Sequence, residues 1–172
     1  MPDGKVSVEA EFVKTAATSF ADVPANAYFA DAVKWAVDKD VTNGLTDTMF
    51  GPYESCTRTQ IVTFLWRAAG SPEPTTTRNP FRDVNAVTHS SYYKAILWAS
   101  QKGITSGTST TAFSPDQVCT RAQIVTFLYR YAGQPSGYYS NPFKDVSATS
   151  EASYYNAVLW AVGKGTVSYT HL

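Results

Sequence analysis

Two arginines, Arg58 and Arg121, hold the same place in two similar stretches, Thr57-Arg58-Thr59-Gln60 and Thr120-Arg121-Ala122-Gln123. Each stretch fits a capping box, in which the Thr hydroxyl and the Gln side chain satisfy amides at the start of a helix. The arginine then stands where unpaired backbone N–H groups and the positive end of the helix dipole favour an anion. Its planar guanidinium matches a carboxylate in a two-point hydrogen bond, so the chemistry on offer is capture of an acidic group. A second role is open to the same side chain. It can pair with a recurrent aspartate of a neighbouring segment, Asp22, Asp83 or Asp145, and merely fix packing.

The elements that position these arginines recur with them. Phe20-Ala21-Asp22-Val23 returns as Phe81-Arg82-Asp83-Val84 and as Phe143-Lys144-Asp145-Val146. Behind each lies one tryptophan, Trp35, Trp98 or Trp160, spaced by 63 residues from 35 to 98 and by 62 from 98 to 160. Such a period means three copies of one structural unit. Units of about 60 residues bury too little surface alone, so the copies should pack on one another. The three-and-four spacing of Phe29, Ala32, Val33, Ala36 and Val37 predicts a first helix over 28–39, matched over 91–102. A loop with Gly44 or Gly107 follows, then Phe50-Gly51-Pro52 or Phe113-Ser114-Pro115. The glycine either lets a ligand approach the backbone or supplies a positive φ that the loop needs. The capped second helix buries Ile61, Phe64, Leu65 and Ala68, or Ile124, Phe127, Leu128 and Ala132, and stops at Gly70 or Gly133.

The chain therefore divides into repeats over 20–70, 81–133 and 143–165, the last incomplete, with extended linkers over 71–80 and 134–142. Residues 1–19 read as the tail of an upstream β-rich module or a linker, the former because Gly4 to Phe12 alternates apolar and polar side chains. The third copy departs from the pattern at Thr166. Thr166 to Leu172 matches one reading frame of a common sequencing-transposon end, so these seven residues are expected to be non-native.

With 14 basic and 14 acidic side chains the net charge is zero, which leaves no electrostatic footprint for nucleic acid or an anionic membrane. No stretch approaches the roughly 20 apolar residues of a membrane span, and the first residues lack a signal-peptide pattern. His89 and His171 are isolated, so no metal site is expected, and nothing calls for a cofactor. Asp38, Asp40, Thr42 and Asn43 resemble the start of a calcium loop, but Asn43 and Met49 stand where that loop needs Gly and Glu. A glycan-cleaving enzyme needs two carboxylates astride a sugar bond, whereas only one Asp recurs per copy. Cys56 and Cys119 are matched, and equivalent positions in separate copies are usually far apart, so they read as buried free thiols.

Phe-x-Asp-Val, Tyr-x-x-Ala-(Val/Ile)-x-Trp-Ala, Gly-(Ile/Val)-Thr-x-Gly, Phe-x-Pro and Thr-Arg-Ala-Gln occur together in this order, and the combination resembles the S-layer homology domain. The resemblance runs from about Phe20 to Gly165. It implies a mainly α fold of helix-loop-helix units in a pseudo-threefold assembly, serving as an extracellular anchor for a larger bacterial surface protein. It further implies grooves between copies that bind a peptidoglycan-linked secondary polysaccharide ending in a pyruvylated, acidic sugar. Arg58 and Arg121 become carboxylate receptors, with Asp22, Asp83 and Asp145 as supporting polar groups. Trp35, Trp98 and Trp160 become core aromatics with an edge available for sugar stacking, and Gly44 and Gly107 line the groove. A fragment of a wall-glycan-acting enzyme and a protein-binding adhesive module are the alternatives.

Overall fold

A computed structural model of the chain describes residues 20–166. The strand read over Gly4 to Phe12 and the tail from Val167 lie outside them. Five helices follow in order: α1 (Ala30–Asp38), α2 (Arg58–Ala68), α3 (Tyr93–Gln101), α4 (Arg121–Tyr131) and α5 (Tyr155–Gly163). The fold is mainly α. Beyond the helices the described residues hold one isolated antiparallel bridge, between Thr57 and Val118.

The second helix of each complete copy starts where its cap demands. Thr57 has extended backbone, its side chain accepts from the Gln60 amide, and Gln60 Oε1 accepts from the Thr57 amide at 2.8 Å. Thr120 and Gln123 repeat the arrangement at the head of α4. Each such cap stabilises its helix by about 1 kcal/mol. The first helices lack a side-chain cap and begin after Phe29, Tyr92 and Tyr154, two residues later than the spacing predicts for the first two copies. Turns joined by isolated backbone bonds, such as Tyr92 N–H to the His89 carbonyl, occupy those positions instead.

Packing does not follow the sequence repeat. Helix α2 packs against α3 and α4, and α4 packs against α5, so the second helix of one copy lies on the first helix of the next. The main core joins Ile61, Val62 and Leu65 of α2 to Phe81, Ile96, Trp98, Ile104 and Phe113 of the second copy. A smaller core joins Val125 of α4 to Ala157, Val158 and Trp160 of α5. Val62 and Ile96 are fully buried, and each such side chain contributes about 2 kcal/mol of apolar burial. Among the described residues α1 packs on no other helix. Two junctions between successive copies are thus formed among the described residues.

The linkers form no regular element, as their composition predicts, but they are pinned. Trp66 Nε1 donates to the Pro72 carbonyl at 2.8 Å, and Gln101 binds the Thr75 amide and the Thr76 carbonyl.

Candidate functional site

At the junction of copies 1 and 2 the Thr57–Val118 bridge lays the start of α2 along the second copy's loop. The Arg58 amide donates to the Gln117 carbonyl, and Thr59 donates to Pro115 through both its amide and its hydroxyl. The Arg58 side chain then enters the neighbour. Its Nε donates to the Phe113 carbonyl at 2.8 Å and its Nη2 to Thr105 Oγ1 at 3.2 Å. The guanidinium carbon lies 5.0 Å from the centre of the Phe113 ring and 5.3 Å from that of Phe127. Burial pulls its pKa below the ordinary arginine value, with Cys119 and, more weakly, Asp83 opposing. Only 3% of Arg58 is exposed, so the open receptor that the sequence leads one to expect is, at this position, a rivet between copies.

Arg121 differs. It is exposed, and its side chain has no hydrogen-bond partner among the described residues. The cause is the third copy, whose described part offers no Phe-x-Pro loop to receive it.

The recurrent aspartates bind neither arginine directly. Asp22 accepts the Phe50 amide at 2.8 Å and the Gly51 amide at 2.7 Å, and Asp83 accepts those of Phe113 and Ser114 at 2.9 and 2.7 Å. Each closes its own copy's loop like a clasp. The Phe50 amide holds Asp22 below the usual carboxylate range, with Gly51 adding to it against desolvation. For Asp83 desolvation pushes up, but the Phe113 and Ser114 amides outweigh it and the net direction is down. Phe113 links both motifs, giving its N–H to Asp83 and its carbonyl to Arg58. Asp145 is exposed.

Gly44 and Gly107 have φ of +81° and +85°. A Cβ on Gly44 would come within 2.5 Å of the Phe20 ring, and one on Gly107 would strike the Ala112 and Ser109 carbonyls. Close packing and positive φ therefore require glycine here without any ligand.

Two clefts flank these loops. The first, of about 610 Å³, runs along the boundary of copies 1 and 2, lined by Asn43, Gly44, Thr63, Arg67, Tyr92 and Asp116 among others. The second, of about 510 Å³, is lined by Phe81, Gly103, Thr105, Ser106 and Arg130. Arg58 lines neither. Their cations are Arg67 and Arg130, which stand at matched positions near the ends of α2 and α4. Each makes one long bond to its own copy's loop, Arg67 to the Val41 carbonyl at 3.4 Å and Arg130 to the Ile104 carbonyl at 3.3 Å. The rest of each guanidinium has no described partner. The signal was in the sequence, as Leu65-Trp66-Arg67 and Leu128-Tyr129-Arg130, but a basic residue in a last helical turn reads as a dipole partner. The Thr63 hydroxyl is buried and finds no hydrogen-bond partner among the described residues.

The tryptophans split. Trp98 and Trp160 are 4% and 9% exposed and lie against Tyr131 and Tyr129, whereas Trp35 is 55% exposed. Neither cleft is lined by a tryptophan. The cysteines also depart from expectation. They are free and half-buried, but the bridge sets them opposite one another, with the Cys119 amide donating to the Cys56 carbonyl at 3.0 Å.

Loop-clasped helical repeats, riveted at Arg58 and bordered by clefts that each carry an arginine, define a tandem-repeat module. The S-layer homology domain matches residues 19–61 and 80–125, and the chain belongs to that family. It is 28% identical to an S-layer protein of Bacillus licheniformis over 116 residues, 67% of this chain and 13% of that protein. It is 30% identical to an endoglucanase of Bacillus sp. (strain KSM-635) over 117 residues, 68% of this chain and 12% of that protein. The match thus spans a small part of each relative. Membership makes the chain a cell-wall-anchoring module of the bacterial surface, a binding rather than a catalytic unit. No helix among the described residues is long and apolar enough to cross a membrane.

Proposed function

We propose that the chain holds a larger surface protein on the wall noncovalently, by seating the acidic, pyruvylated end of a peptidoglycan-linked polysaccharide in the clefts beside its repeats. What carries this reading is one repeated arrangement: the same arginine, at the same helix position, in the wall of a cleft in two successive copies. A guanidinium with one long protein bond keeps donors for a carboxylate, and such a charge-assisted contact contributes about 2 kcal/mol. In the first cleft Asp116 accepts from sugar hydroxyls, Tyr92 offers an apolar face, and the Thr63 hydroxyl gains a partner.

The residues singled out in the sequence take graded parts. Arg121 is a further open guanidinium for the same carboxylate chemistry. Arg58, Asp22 and Asp83 act by holding the loops that shape the clefts, and Gly44 lets the loop beside Arg67 close. Asp145 and Trp35 stand open to a glycan, whereas Trp98, Trp160 and Gly107 keep the scaffold. Both relatives by name, a surface-layer protein and an endoglucanase, suit a module that tethers varied cargo to the wall.

The test is sedimentation of the chain with purified sacculi, before and after chemical removal of the secondary polymer. Binding should vanish with the polymer, and a folded Arg67→Ala, Arg130→Ala, Arg121→Ala variant should bind at least about tenfold more weakly. Undiminished binding in either case overturns the reading. A second reading, adhesion to protein, draws on exposed Tyr28, Trp35, Tyr53 and Leu45 in the first copy. It gains if Trp35→Ala alone abolishes capture by walls stripped of polymer.

A further inference from the structure

The chain carries one pair of thiols in a geometry that its repeat pattern does not announce. Thr57 and Val118 oppose one another in the antiparallel bridge, and flanking bonds run from the Cys119 amide to the Cys56 carbonyl and from the Arg58 amide to the Gln117 carbonyl. Next to that bridge Cys56 and Cys119 face one another, joined by the Cys119 amide to Cys56 carbonyl bond at 3.0 Å. Directly opposed residues of an antiparallel ladder have Cα atoms about 4.5–5.5 Å apart. A disulfide spans about 4.4–6.8 Å between Cα atoms, a window that contains this ladder spacing. Both side chains pack at the edge of the main core and are half-buried. Cys56 also lines the cleft of about 610 Å³, which opens a path for a small reagent.

We propose that Cys56 and Cys119 form a reversible disulfide that staples copy 1 to copy 2 across their junction. The oxidant is a disulfide of the low-molecular-weight thiol type. The Cys56 thiolate attacks one of its sulfurs, forms a mixed disulfide and releases one thiol; Cys119 then attacks Cys56 sulfur and displaces the second. Two protein thiols lose two protons and two electrons, and one oxidant disulfide becomes two thiols. The surroundings suit a slow, retained bond. Burial pushes both thiols up, and for Cys119 the nearby Arg58 pulls down while Cys56 pushes up, so the two groups sense each other. A chain at the cell surface lies on the oxidising side of the membrane, where such bonds persist. The bond would close a loop from 56 to 119 and oppose the separation of α2 from its neighbour's loop.

The experiment is incubation of the purified chain with oxidised glutathione, followed by alkylation, peptide mapping and thermal melting. The expected result is a monomer that has lost two hydrogens, with one peptide pair joining Cys56 to Cys119. Its melting temperature should rise by roughly 10 °C and fall back with dithiothreitol. Cys56→Ser, a near-isosteric change, should fold and show no such rise. Both cysteines remaining alkylatable, glutathione adducts without a cross-link, intermolecular dimers alone, or an equal rise in Cys56→Ser would each overturn the proposal.

Discussion

Trp35 and Trp98 sit at the same place in the same motif, yet the first is 55% exposed and the second 4%. Arg58 and Arg121 are likewise matched, one locked into the next copy's loop and the other open to solvent. The difference lies in neighbours. Helix α3 has α2 beside it and Arg58 has the loop of copy 2, whereas α1 packs on no described helix and Arg121 meets no described loop. In a molecule whose cores span copies, a residue's environment belongs to the junction it faces rather than to the motif that contains it.

Paired substitutions break or sharpen that contrast. Trp98→Ala empties the main core and should cost about 4 kcal/mol, whereas Trp35→Ala should cost less than about 1 kcal/mol in urea unfolding. Equal losses would mean that α1 is packed as closely as α3. Arg58→Ala strips partners from the Phe113 carbonyl and Thr105 hydroxyl and removes the cation between two rings, at about 3 kcal/mol. Arg121→Ala should stay within about 0.5 kcal/mol while weakening wall binding, which separates rivet from receptor.

The smallest contrast concerns acid. Loop amides hold folded Asp83 below its ordinary value, so its contribution is complete above the unfolded carboxylate pKa and is lost as pH falls through the lowered folded one. Melting curves across roughly pH 2–6 should therefore show a shallower acid decline for Asp83→Asn than for the parent. Asp145→Asn should change stability at neutral pH by less than about 0.5 kcal/mol, because no described loop amide binds Asp145.

What the sequence makes legible is local. The capping boxes at Thr57 and Thr120 place α2 and α4 to the residue, because Thr and Gln satisfy amides within their own turn. The first helices are legible in period but not in start, since Phe29, Tyr92 and Tyr154 give no side-chain cap. The candidate site is legible in type but not in address. Arg58 reads as open because its partners, Thr105 and Phe113, lie far along the chain in another copy. Arg67 and Arg130 were hidden by their place in a last turn, where helix electrostatics alone accounts for a cation. The cysteines looked distant because matched positions in copies usually are, but the Thr57–Val118 bridge folds the two cap segments face to face.

Since α2 shares its interior with α3, and α4 with α5, the exchangeable module is offset from the written repeat by half a period. A recombination breakpoint just ahead of a capping threonine, at Thr57 or Thr120, keeps α2 together with α3, Ile104 and Phe113 and gives up the side of that core that Phe127 supplies from α4. A breakpoint in the proline-rich linker, which looks like the natural seam, severs two half-cores and leaves each in need of a stranger's helix.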